Sequence, residues 1–129
     1  HHDRQAIDRF AHVRVPGVGR VYLAAGYTDM RKSIDGLAVV VSAVLELDPV
    51  SPHWFVFCGR RRDRLKILHW DHNGFWLYYR RLERGRFVWP DAGAASTVCL
   101  SARQLRWLLD GLRVEECQAH RGVSARVVI

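Results

Sequence analysis

The spacing of apolar positions changes several times along this chain, and each change marks an element. "RVYLAAG", residues 20–26, is a run of β-branched and aromatic residues flanked by glycine, which predicts a strand. "YTDMRKSIDGLAVVVSAVLELDP" switches to helical spacing. Met30, Ile34, Leu37, Val41, Val44 and Leu45 form its apolar stripe, and Val39 and Val40 widen it past half the girth. Thr28 or Asp29 is the expected N-cap, and Asp48-Pro49 the stop. Gly36 costs about 1 kcal/mol against alanine in a helix interior, so a close approach by another backbone is expected there.

Period two returns with "HWFVFCG" (53–59) and "RLKILHWD" (64–71), two strands joined by a charged turn at 60–63. His72-Asn73-Gly74 reads as a hairpin turn in which Asn and Gly supply positive φ. "FWLYYRRL" (75–82) is the returning strand, Arg84-Gly85 a second turn, and "RFVWP" (86–90) a short last strand ended by proline. Residues 91–97 are small and loop-like. "LSARQLRWLLDGL" is a second helix, with a Ser101/Gln104 capping box, a Leu100/Leu105 staple and a stripe of Leu105, Leu108, Leu109 and Leu112.

These elements predict one α+β domain over 14–113: an antiparallel meander of about four to five strands with two helices on one face. Residues 1–13 are read as tag remnant or linker, after the leading His1-His2, and 114–129 as a C-terminal extension. Within the strands, Trp54, Val56 and Cys58 point opposite to Phe55 and Phe57, and Leu65 and Ile67 opposite to Leu68 and Trp70. Both sheet faces are therefore partly apolar. One is the core; the other is expected to meet a subunit, a partner, a terminal segment or nucleic-acid bases.

Composition sharpens this picture. A chain of 129 residues with 49% hydrophobic and 26% charged residues is an ordinary globule, with neither a membrane span nor a secretory leader in view. Cys58, Cys99 and Cys117 show no framework spacing, so all three are expected to be reduced core thiols in a cytoplasmic protein. The net charge of +7 is concentrated: Arg60, Arg61, Arg62, Arg64, Lys66, Arg80, Arg81, Arg84 and Arg86 are opposed only by Asp63, Asp71 and Glu83. Rings lie among them in the sequence. This pattern points to nucleic acid, the cations contacting phosphates and Trp70, Trp76 and Tyr78 offering base-stacking platforms.

Other chemistry is thin. His69, Asp71 and His72 in "HWDHNG" contain metal-ligand types, but the same residues suit a hairpin turn and no second ligand cluster exists, so no metal is assigned. Asp29 and Asp35 lie six apart and miss a common helix face. No nucleophile triad and no glycine-rich phosphate loop is present. No catalytic residue and no cofactor is assigned; a metal-dependent nuclease is the least favoured alternative.

Several motifs together carry a family resemblance. "GRVYLAAGYTDMRKSIDGLA", "FVFCGRRRDRLKILHWDHNGFWLYYRRLERGRFVWP" and "LSARQLRWLLDGL", in that order over about 15–112, resemble the small second-frame, TnpB-like protein of insertion sequence 66 type bacterial mobile elements. The resemblance implies a non-catalytic accessory factor of transposition, acting beside a separate, larger transposase. Shared basic and aromatic positions fall at Arg31, Lys32, Arg60, Arg61, Arg64, Lys66, Trp70, Arg81, Arg84, Arg86 and Trp89. Residues 1–13 and the tail after Arg113 have no counterpart in the pattern. The expected partners are DNA and that transposase, with self-association open and no membrane. The alternative to DNA binding is a protein-interaction module that docks the transposase or a second copy through the spare sheet face.

Overall fold

A computed structural model describes residues 19–114. Five strands form one sheet: β1 (Val21–Ala24), β2 (Trp54–Cys58), β3 (Arg64–Asp71), β4 (Gly74–Arg81) and β5 (Thr97–Leu100), in the order β4-β3-β2-β1-β5. Helix α1 (Ile34–Val39), continued by a π-helical turn (Val40–Val44), connects β1 to β2, and α2 (Ala102–Leu109) follows β5. The fold is α+β, as the pattern predicts. The sheet is mostly antiparallel but not a simple meander. A helical crossover returns the chain to the same end of the sheet, so β1 and β2 run parallel, with Val21 beside Trp54 and Leu23 beside Val56.

The two helices lie on opposite faces of the sheet, not on one. On the first face Leu37, Val41 and Leu45 pack on Phe55, Phe57 and Leu68. On the second, Leu105, Leu108 and Leu109 pack on Val21, Leu23, Trp54, Val56, Leu65 and Ile67, joined by Phe87 and Val114. This is why β2 is apolar at every position and buried at all five. The spare apolar face expected from the sequence is the bed of the other helix.

Local departures have local causes. α1 begins at Ile34, behind Ser33, because Asp29 does not cap it. The Asp29 carboxylate instead accepts from the Arg31 backbone N–H at 2.9 Å, and Lys32 N–H donates to the Asp29 carbonyl, closing a turn ahead of the helix. Val39 and Val44 are exposed, so the stripe is narrower than predicted. Gly36 meets no second backbone: a Cβ there would press only on the Lys32 side chain. Gly19 is the position that does, facing the Pro52 carbonyl.

The hairpin at 71–74 places His72, not Asn73 or Gly74, in left-handed backbone at φ 58. Residues 86–90 form no strand; they cross the second face as irregular chain with Phe87 buried. β5 is the strand the pattern hides, four residues in which Val98 and Leu100 alternate with Thr97 and Cys99. Its Cys99 is exposed, against expectation, whereas Cys58 is buried; Cys117 lies outside the described residues. No helix among the described residues is long and apolar enough to cross a membrane.

Candidate nucleic-acid interface

The parallel pair sets the site. The carboxyl ends of β1 and β2 emerge side by side, and β3 starts where β4 ends, so four strand termini share one pole of the sheet. The turn at 59–63 leaves β2 there. It is closed by Gly59 N–H to the Arg64 carbonyl and Arg62 N–H to the Gly59 carbonyl, both 3.0 Å, with Arg62 in left-handed backbone at φ 62. The chain after β4 is bonded onto this turn: Leu82 N–H donates to the Asp63 carbonyl at 2.8 Å and Phe87 N–H to the Arg62 carbonyl at 2.6 Å. Arg64 sits directly across from Arg81 in the β3–β4 register. The two arginine-bearing segments are thus joined by backbone.

Within the nine predicted cations the structure separates three groups. Arg60, Arg61, Arg64, Arg84 and Arg86 are exposed at the pole, and among the described residues none of them forms a salt bridge. Arg81 is also exposed there but holds Glu83 at 2.9 Å. Arg62 turns inward: its guanidinium donates to the Gly26 carbonyl at 2.8 Å and lies 5.5 Å from the Trp89 ring centre. Lys66 donates to the Lys32 carbonyl at 2.7 Å and covers the Tyr79 ring. Arg80, opposite Leu65 in the register, points to the second face, where its Nε is buried without a hydrogen-bond partner among the described residues.

Of the three predicted ring platforms two come together and the third lies on the other face. Trp76 and Tyr78 stack on the second face, 6.1 Å between ring centres, continuing to Trp54 and His69. Trp70 lies on the first face, edge-on to Phe75. Trp76 stands five residues before Arg81, roughly 17 Å along a strand, so it is remote from the arginine pole. Trp70, Trp76 and Tyr78 therefore do not share one surface with the arginine pole. Three other rings meet cations near the pole: Trp89 beside Arg62, Tyr79 under Lys66, and the most exposed of them, Tyr27, 59% exposed, with the Arg60 guanidinium 5.3 Å from its centre. Pattern reasoning left Tyr27 out because nothing local shows that β1 and β2 are parallel neighbours.

Between the 27–30 segment and the 59–64 turn lies a cleft of about 520 Å³. Tyr27, Asp29, Arg60, Arg61, Asp63 and Arg64 line it, with Met30 packed against Gly59 at its base. The Arg31 side chain, bonded to Asp29 through Nε and Nη2, holds that carboxyl down at about 2. The Arg31 guanidinium is raised in turn by Asp29. Burial pushes the Cys58 thiol up, opposed by the positive charge of nearby Arg62. Burial, then Arg20, pushes His53 down, and its Nδ1 accepts from the Arg20 backbone N–H.

Two of the residues weighed for metal chemistry are engaged elsewhere. His69 Nδ1 lies 3.1 Å from the His53 carbonyl, and Asp71 accepts from Trp76 Nε1 at 3.2 Å. His72 is exposed in its turn. No group of three or more His, Cys, Asp or Glu placed to hold a metal ion occurs among the described residues.

Comparison with known proteins agrees with the motifs. A family model described as IS66 Orf2 like protein matches residues 19–119, which takes the match past Leu112 into the tail. "Uncharacterized protein y4hO" of Sinorhizobium fredii is 44% identical over 93 residues, 72% of this chain and 80% of that protein. "Uncharacterized protein y4jC" of the same organism is 37% identical over 71 residues, 55% of this chain and 61% of that protein. No solved structure matches.

Proposed function

Because this chain belongs to the IS66 Orf2-like family, and so stands with an accessory role in insertion-sequence transposition, we propose that it serves that role by binding DNA through the arginine pole of its sheet. The observation that carries the reading is the bonding of residues 82–87 onto the turn at 59–64, which joins Arg84 and Arg86 to Arg60, Arg61 and Arg64. Arginine suits the task because its planar fork meets phosphate oxygens in pairs and stays charged. The contacts position the protein on a backbone and carry no base sequence by themselves. Chemistry on the DNA falls to the larger transposase, with which this chain would act.

The reading is tested by affinity against salt. With five uncompensated arginines engaged, the log–log slope is expected near −4 to −5 on duplex DNA. Binding that is undetectable at low salt, or that ignores salt, removes the proposal.

One observation favours a second role beside it. Val39 and Val44, 61% and 62% exposed, are apolar side chains left open to solvent on α1 and its π-helical turn, and either could be covered by the transposase or a second copy. Sedimentation without DNA tests it: tight assembly lost on Val39→Glu supports docking, and a monomer that does not bind the transposase ends it.

A further inference from the structure

The cleft beside the arginines has features that a phosphate-contacting surface does not explain. A site built for phosphate alone would exclude carboxylates, since like charges repel the ligand. This cleft contains two, Asp29 and Asp63. Asp29 is ionised at any physiological pH and bonded to Arg31. Asp63, half-buried, makes no side-chain hydrogen bond among the described residues; only its backbone carbonyl is used, by Leu82. An arginine-rich cleft with a spare carboxylate fits a ligand that is anionic at one end and a hydrogen-bond donor at the other. A nucleotide with an amino-bearing base has that form. The Tyr27 ring and the Arg60 guanidinium lying over it supply the remaining requirement, a flat cationic wall on which an unpaired base stacks. The volume of about 520 Å³ falls in the range of small-ligand clefts. Paired bases are stacked inside the duplex and cannot enter such a cleft; only an unpaired one can.

We infer that the cleft between the 27–30 segment and the 59–64 turn takes one unpaired, amino-bearing DNA base, stacked on Tyr27 and Arg60 and donating to Asp63, while Arg61 and Arg64 hold the adjoining phosphates. This rests on the DNA-binding reading above and adds a structural preference: the protein selects a duplex with a single-stranded end over a blunt one. It also adds a chemical preference. Cytosine presents an amine where thymine presents a carbonyl oxygen, so a carboxylate accepts from the first and repels the second.

The test uses the full chain and three hairpin duplexes: blunt, with a three-nucleotide deoxycytidine overhang, and with a three-nucleotide deoxythymidine overhang. The deoxycytidine overhang is expected to bind roughly tenfold tighter than the blunt hairpin, the scale of one stacked base. The deoxythymidine overhang is expected to fall between them. Tyr27→Ala, at an exposed position, should bring the overhang affinity down to the blunt level, and Asp63→Asn should erase the preference for cytosine. Equal affinity for all three hairpins, with the salt slope intact, overturns the cleft assignment and leaves the arginine surface standing. An overhang gain that survives Tyr27→Ala, or one indifferent to cytosine and thymine, also overturns it. No binding to any hairpin removes both readings together.

Discussion

Arg62 occupies left-handed backbone, at φ 62, where an L-residue other than glycine pays roughly 1–2 kcal/mol. The kink is offset by what its side chain reaches: the Gly26 carbonyl and the Trp89 ring. Loss of a charge-assisted hydrogen bond of this kind removes about 1.5–3 kcal/mol. Arg62→Ala is therefore expected to lower stability by about 2 kcal/mol, read as a shifted urea midpoint at unchanged m. Its neighbour Arg61 is exposed and unpaired among the described residues. Arg61→Ala is expected to leave the midpoint in place and to reduce the DNA salt slope by about 0.9. Adjacent arginines thus divide between one held by the fold and one left open to solvent. The sequence shows both as members of one run, "GRRRDR", and the distinction comes from a backbone angle that local propensity does not specify for arginine. The same holds for Arg80 and Arg81, which pleating sends to opposite faces.

At the scale of elements, α1 differs most between pattern and structure. Leu37, Val41 and Leu45 recur every four residues, slightly longer than an α-turn, and the π-helical stretch with Leu45 N–H bonded to the Val40 carbonyl accommodates that spacing. Val44, one residue before Leu45, is carried to the solvent side. Leu37→Ala is expected to cost about 3 kcal/mol and Val44→Ala less than about 0.5, measured as paired midpoints; equal costs would show that the stripe read from the sequence is the buried one. The capping box of α2 was legible because it depends on neighbours in sequence: Ser101 Oγ accepts from Gln104 N–H at 3.1 Å, and Gln104 Oε1 from Ser101 N–H at 2.9 Å. The parallel placement of β1 beside β2 was not legible, because strand order depends on which distant segment pairs. The two-sided apolar pattern of β2 did announce cover on both faces, and the second cover proved to be a helix rather than a partner.

For the whole molecule, the arginine pole was half visible beforehand. The residue types and their separation in sequence identify the charge; only the bonds from 82–87 to 59–64 join it into one surface. The rings of "HWDHNGFW" lie toward the opposite end, where the β3–β4 hairpin closes, away from the arginine pole. Glycine matters at one remote point in this arrangement. Gly19, ahead of β1, faces the Pro52 carbonyl with no room for a Cβ. Gly19→Ala is expected to shift that contact at a cost of about 1–3 kcal/mol, visible as a lowered midpoint with unaltered DNA salt slope.

Arg64 and Arg81 face each other across an antiparallel pair, and like charges so placed oppose the strand contact that holds them. Glu83 relieves Arg81 alone. In dilute buffer the field of a charge extends about 30 Å at 0.01 M and this edge pushes against itself; at 0.1 M the range contracts to about 10 Å and the push weakens. The free protein is accordingly expected to melt at a higher temperature in moderate salt than in nearly none, the reverse of a fold secured by surface ion pairs. Such a molecule is internally tensed until counterions or a polyanion quiet it.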